Sequence, residues 1–432
     1  PSGVTWRSVA CGSLSPTLID MGAPLGLSRE RLSPQGYTMT QDFASRASKI
    51  LGESVAADVP GVVAMARDRG GVFYSGAAGL RRLGAPAPMT EDTVFALFSC
   101  AKPITASAAL RLAETGALDL DRPARAYLPA LGDIGVFDGF DADGAPRLRR
   151  PRREITARML MLHTAGFGYD FANANIKRLL DEGRLTPHRS ATHAGFNQPL
   201  VNEPGTRWEY GLSVDWLGQV IEAVAGARLD AILSELVLGP LGMKETSHRP
   251  TPAMRARLAS MHQREADGSL TALDMEPRET LEVTPGGSGL YGTIGDYMRF
   301  LGAWLNEGGG VLKPETVAWA ARDGLDGLKV APLPTTAPRI SGDLDFFPGL
   351  SKSWAYSFLV NDEEAPTGRA AGSLAWGGLG NLYFWIDRRN GVAGLWATQL
   401  FPFMDPASLG GALAFETALY DGLASGARAT AE

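Results

Sequence analysis

Cysteine is nearly absent from this chain: Cys11 and Cys100 are the only two in 432 residues, too few for a disulfide framework or a cysteine-rich zinc site. The five histidines, His163, His188, His193, His248 and His262, show no H-E-x-x-H or related spacing, which argues against a metal hydrolase. Neither a metal nor another cofactor is expected. Nothing approaches the roughly eighteen consecutive apolar residues of a membrane span. A basic excess is missing too, since 41 lysines and arginines face 47 acidic residues for a net charge of −6. The chain therefore carries no field to hold nucleic acid or an anionic membrane, and the partner it suits is a small neutral molecule. G-x-S-x-G, the nucleophile elbow of the common α/β-hydrolases, occurs nowhere.

What is present is ordinary for a globular chain, with 45% apolar and 20% charged residues. The first 38 residues show no basic stretch leading into an apolar core, so no secretory signal is read there and a cytoplasmic location is expected. They are taken as a leader, a linker or an artificially appended arm, with Met39 as a natural start.

From Thr40 to Ala57 the apolar residues Phe43, Ala47, Ile50, Leu51 and Val55 recur at helical spacing. Two β-prone runs follow, 61–66 and 72–76, joined by Arg67-Asp68-Arg69-Gly70-Gly71 in the manner of a hairpin. A second helix is expected from Ser99 to about Thr115, stopped by Gly116. Between 118 and 285 the strand signal fades and helical stretches dominate, among them Thr156–Leu162, Val214–Ala225 and Leu229–Val237. β-prone runs return at Trp354–Val360, Ser373–Trp376, Asn381–Ile386 and Val392–Gln399, and an amphipathic helix, Pro406–Leu423, follows. This order predicts an α/β fold: an antiparallel sheet flanked by helices and built from both chain ends (39–117 and 286–432), with a mainly helical domain (118–285) inserted.

The sharpest local feature is Ser99-Cys100-Ala101-Lys102 at the expected helix start. Residues three apart share a helical face, so the Lys102 amine can reach the Ser99 hydroxyl and draw its proton. Serine three residues before lysine arises by chance in many chains, yet Lys102 is the only one of seven lysines so placed. The apolar neighbours Leu97, Phe98, Ala101 and Ile104 predict that this helix start is buried.

The segment Phe95 to Pro103, continued by Leu110 to Leu120, resembles the nucleophile helix of class C β-lactamases and family VIII carboxylesterases. Arg207-Trp208-Glu209-Tyr210-Gly211-Leu212 resembles the second motif of that superfamily and Trp376-Gly377-Gly378-Leu379 the third, in the right order. The resemblance runs from about residue 40 to the C-terminus and implies a β-lactamase/transpeptidase-like fold. It implies Ser99 as nucleophile, a base role shared by Lys102 and Tyr210, and an oxyanion hole from the N–H groups of Ser99 and Leu379. Trp376, Gly377, Gly378 and Leu212 would then contact the substrate. Where β-lactamases carry a lysine this chain has Trp376, and where they carry an asparagine it has Leu212. Both departures remove polar recognition of a charged amide, so the expected activity is hydrolysis of small, short-chain acyl esters through an acyl-enzyme.

A β-lactamase or D,D-peptidase on the same scaffold, acyl transfer to an alcohol or amine, and a catalytically silent binding protein remain as rivals. Asp215, five residues after Tyr210, is a candidate to orient the lysine and tyrosine from behind. His163 is read as structural, and Gly286-Gly287-Ser288-Gly289-Leu290 as a turn before a helix.

Overall fold

Seven antiparallel strands form the central sheet, and they come from opposite parts of the chain. The computed structural model describes residues 41–429; the expected arm 1–38 and its Met39 start lie outside them. Strands β1 (Gly61–Asp68) and β2 (Val72–Gly79) form the expected hairpin, with Asp68 Oδ1 accepting from the N–H groups of Gly70 at 2.7 Å and Gly71 at 2.9 Å. The other five are β3 (Lys352–Trp354), β4 (Leu359–Asn361), β5 (Leu374–Gly378), β6 (Leu382–Asp387) and β7 (Val392–Ala397). Their order is β3-β4-β5-β6-β7-β1-β2, and β1 closes the two halves by pairing with β7, Val63 opposite Ala397.

Alternation along the strands sorts the helices onto the two faces. Trp385 and Trp396 meet Phe415 of helix α5 (Pro406–Ala429), and α1 (Gln41–Ala56) joins this layer through Phe43 against Phe415 and Tyr74. Phe384, one residue before Trp385, instead meets Tyr297 of α4 (Ile294–Leu305). Behind α4 lies α2 (Ala101–Glu114), whose residues 101–110 are all buried. A helix covered on every side needs no polar face. Its packing is fixed by Trp304 Nε1 donating to Ser107 Oγ at 3.2 Å and by the Tyr297 hydroxyl donating to the Cys100 carbonyl at 2.9 Å. Helix α3 (Ser213–Ala225) packs on α2 from the helical segment.

Three local expectations are corrected. Trp354–Val360 is a tight turn between two strands rather than one strand: Ala355 N–H bonds to Phe358 O at 2.8 Å and Ser357 adopts φ 71°. Every position from 352 to 360 is buried, so the sequence shows no alternation to mark the reversal. Residues 118–285 also carry strands, a hairpin at Val136–Phe140 and Pro146–Arg149 and a pair at His262–Arg264 and Leu270–Ala272. A short strand, Tyr291–Thr293, lies between the glycine run 286–289 and α4. This segment packs into one compact unit with the sheet. Among the described residues no helix is long and apolar enough to cross a membrane.

Candidate active site

Ser99 sits in a single 3-10 turn, Phe98–Cys100, that feeds directly into α2. Phe98 adopts φ 46°, a left-handed conformation that bulky residues rarely take and that packing must hold in place. Lys102 is fully buried while Ser99 keeps partial exposure. The Lys102 amine donates to Ser99 Oγ at 3.0 Å, as the three-residue spacing predicts. It also donates to the Gly287 carbonyl at 2.9 Å and the Tyr169 hydroxyl at 3.2 Å. Three acceptors thus face the three donors that an ammonium group has.

Tyr210 reaches the same serine from the loop before α3, its hydroxyl 2.7 Å from Ser99 Oγ. Sequence places these residues far apart, and buried polar bonds hold the loop. Glu209 N–H bonds to His163 O at 2.8 Å, and the Glu209 carboxylate accepts from Asn202 at 2.8 Å and Asn173 at 3.2 Å. A β-carbon on Gly211 would lie 2.1 Å from Phe167 O, so only glycine lets the loop pass there. The Tyr210 ring packs on His163, Tyr169, Trp208, Trp354 and Trp376, and the Lys102 amine stands 4.9 Å from its centre. Trp376, on β5, donates its indole N–H to the Tyr210 oxygen at 3.1 Å.

Gly377 and Gly378 end β5 beside the turn that carries Ser99. A β-carbon on Gly378 would fall 2.5 Å from Leu97 O, so glycine permits this approach, and Leu379 follows half-buried. Gly378→Ala must push the strand and the turn apart. The expected result is a fall in kcat of about 100-fold, the scale of an ångström-level misplacement, with a much smaller change in melting temperature; parallel kinetics and thermal melts check it. Leu212 caps α3 with no exposed surface.

Asp215 lies one step back from the amine. Its Oδ2 accepts from the Tyr169 hydroxyl at 3.3 Å and its Oδ1 from Gly287 N–H at 2.9 Å. It therefore holds two of the three groups that hold Lys102. Tyr169 and Gly287 are the residues that sequence reasoning missed. An aromatic directly after Gly168, in the loop that follows His163, was a signal for the first, while a backbone carbonyl has no residue signature. Burial, with the Asp215 carboxylate and Tyr210 nearby, pushes the Tyr169 phenol well above its ordinary range, so it stays a neutral hydrogen-bond relay. Burial, then Lys102, pushes His163 well below its ordinary range, so the imidazole against Tyr210 is uncharged. Burial also pushes the Cys100 thiol far up, leaving the neighbour of Ser99 unreactive as a nucleophile.

Known proteins share this arrangement's framework. The model of the Beta-lactamase family matches residues 47–419. The chain belongs to that family. Relatives within it include Monacolin J acid methylbutanoyltransferase of Aspergillus terreus, 31% identical over 385 residues that cover 84% of this chain and 92% of that protein. Esterase EstB of Burkholderia gladioli is 32% identical over 366 residues, 78% of this chain and 86% of that one. Among solved structures of Beta-lactamase fold, unliganded simvastatin synthase (LovD) of Aspergillus terreus superposes with a TM-score of 0.75 at 29% identity, covering 88% of this chain and 98% of the other. Acyltransferases and esterases thus stand beside this chain in the Beta-lactamase family.

Proposed function

We propose that the protein is a serine carboxylesterase that hydrolyses small, short-chain acyl esters through an acyl-enzyme on Ser99. The observation that carries this reading is the convergence of Tyr210 at 2.7 Å and Lys102 at 3.0 Å on one partly exposed serine oxygen. As Ser99 Oγ attacks the ester carbonyl, its proton passes to the Lys102/Tyr210 pair, of which Tyr210 is the member nearer the serine oxygen. The N–H groups of Ser99 and Leu379 receive the developing oxyanion, each contributing on the order of 3 kcal/mol. Tyr210 returns the proton to the departing alkoxide. Water then repeats the sequence on the acyl-enzyme, delivering its proton through Tyr210 to Ser99 as the carboxylic acid leaves.

Trp376 favours an ester over a lactam, because its indole supplies no cation where a charged amide substrate would need one, whereas Leu212, without exposed surface, does not reach a substrate. A second reading, transfer of the acyl group to an alcohol, is favoured by the methylbutanoyltransferase at 31% identity. Water and an alcohol differ only in access to the same intermediate.

The test has three arms. A fluorophosphonate is expected to add one covalent adduct to the intact protein, absent in Ser99→Ala. A p-nitrophenyl ester series is expected to outrun a chromogenic cephalosporin by at least about 100-fold in kcat/KM; parity would make the protein a β-lactamase. Added short alcohols divide the intermediate, and new ester in excess over free acid would make it a transferase.

A further inference from the structure

We infer that the small cavity beyond Trp376 is a subsite for the alcohol half of the ester, one that selects alcohols carrying an uncharged oxygen acceptor, such as an ether, over plain alkyl alcohols. This role rests on the esterase reading above and deepens it, because that reading leaves the alcohol open.

The cavity has apolar walls that include Phe346 and Leu359, a polar part made by Asp345 and Lys352, and two tryptophans, Trp208 and Trp376. Both tryptophans belong to the active site as well. Trp376 donates to the Tyr210 oxygen at 3.1 Å, and Trp208 stacks on the Tyr210 ring with centroids 6.2 Å apart. The cavity is therefore on the tyrosine side of Ser99. That side belongs to the alcohol, since Tyr210 returns the proton to the departing alkoxide while the N–H groups of Ser99 and Leu379 hold the carbonyl oxygen. Along β5, Trp376 precedes the two glycines and Leu379 follows them, so the two halves of the ester part in opposite directions.

Two donors at this cavity lack an acceptor. Trp208 is 3% exposed, and its indole nitrogen has no partner among the described residues. Its neighbours Trp354 and Trp376 are both satisfied, Trp354 by the Met161 carbonyl at 3.1 Å. The Lys352 side chain is 5% exposed, and its amine donates to Asp345 Oδ1 at 2.8 Å and to the Phe347 carbonyl at 3.2 Å. An ammonium group has three donors. The third finds no acceptor among the described residues. A buried donor left without a partner is costly, so an oxygen brought there by a substrate is favoured where a methylene is not. Asp345 balances the charge of Lys352, and the cavity consequently suits a neutral oxygen better than a carboxylate.

The experiment compares acetate esters on the full chain by acetate release. Hexyl acetate is set against methoxybutyl, ethoxypropyl and propoxyethyl acetate, which move one ether oxygen along an unbranched chain of hexyl length. All four form the same acetyl-enzyme, so differences in kcat/KM, each divided by the ester's rate with hydroxide, arise in the alcohol half. At least one ether is expected to exceed hexyl acetate by about tenfold. Trp208→Phe keeps a ring and removes the N–H, and Lys352→Met removes the ammonium; each is expected to cut that ratio by at least about threefold. Weaker support of Tyr210 lowers both esters alike and cancels in the ratio. Thermal melts confirm folding, and should one variant unfold, the other carries the comparison.

A wild-type ratio below about threefold at every ether position would overturn the inference without any variant. So would a preference that survives both substitutions. If Ser99 takes a fluorophosphonate and the esters are cleaved without preference, the subsite alone is lost. If Ser99 takes none, the esterase reading fails and the subsite with it.

Discussion

Tyr210→Phe is expected to lower kcat by about two to four orders of magnitude, the contribution of a positioned proton-transfer group, while KM moves less than about threefold. The substitution is nearly silent structurally. The ring keeps its contacts with His163, Trp354 and Trp376, and the hydroxyl's partners are Ser99 and Trp376. What disappears is the polar group with which the helical segment touches Ser99 Oγ while leaving Lys102 free to hold its other acceptors. Steady-state turnover of a p-nitrophenyl ester, with the rate of fluorophosphonate labelling as a separate measure of nucleophile strength, reads the loss. A fall of less than about tenfold would transfer the base role to Lys102. The distances argue for the tyrosine, because its hydroxyl lies 2.7 Å from Ser99 Oγ while the Lys102 amine, at 3.0 Å, is shared with Tyr169 and Gly287.

Glu416→Ala is expected to cost about 3–5 kcal/mol of stability, the scale of a buried charge left without its partner. Arg369 lies in the connection between β4 and β5 and Glu416 on α5. They meet in a bidentate pair, Nε to Oε1 at 2.6 Å and Nη2 to Oε2 at 2.7 Å, with Thr367 adding a third bond at 2.8 Å. Their side chains are 8% and 3% exposed, so water does not screen the guanidinium once the carboxylate is gone. Denaturant unfolding measures the loss, and a melting temperature lower by on the order of 10 °C accompanies it. Replacing both partners by leucine or methionine is expected to recover most of the stability, because the penalty belongs to the unpaired ion and not to the missing bond. A loss below about 1 kcal/mol in the single variant would show that water reaches Arg369 in solution.

The pattern of what could be read from the chain follows from chemistry. Ser99 and Lys102 were legible because helical spacing converts a short motif into a shared face, and both lie within one turn. The β1–β2 hairpin was legible because a glycine-rich turn between β-prone runs has few alternatives. Tyr210 and Trp376 became visible only through resemblance, since nothing in their own neighbourhoods says that loops from distant parts of the chain converge on one serine. Tyr169 and the Gly287 carbonyl stayed hidden, the first inside an irregular loop and the second because every residue has a carbonyl. Asp215, named from its distance to Tyr210 along the chain, bonds to Tyr169 and Gly287. The reversal at Ser357 was lost because burial on both faces erases the period by which a strand is recognised.

The sheet that joins both parts of the chain also sets when the surroundings of Ser99 can be completed. Val63 waits for Ala397 before β1 has a neighbour on that side, and the Tyr210 oxygen waits for the Trp376 indole. A polypeptide emerging from the ribosome therefore presents the serine and lysine early, on a helix whose covering layers have yet to be made. Contacts that span so much of the polymer carry a large loop-closure cost, which slows folding in general. A chain cut short of Trp376 thus has neither the β1–β7 pairing nor the indole donor on Tyr210, so the surroundings of Ser99 are complete only once both have been added.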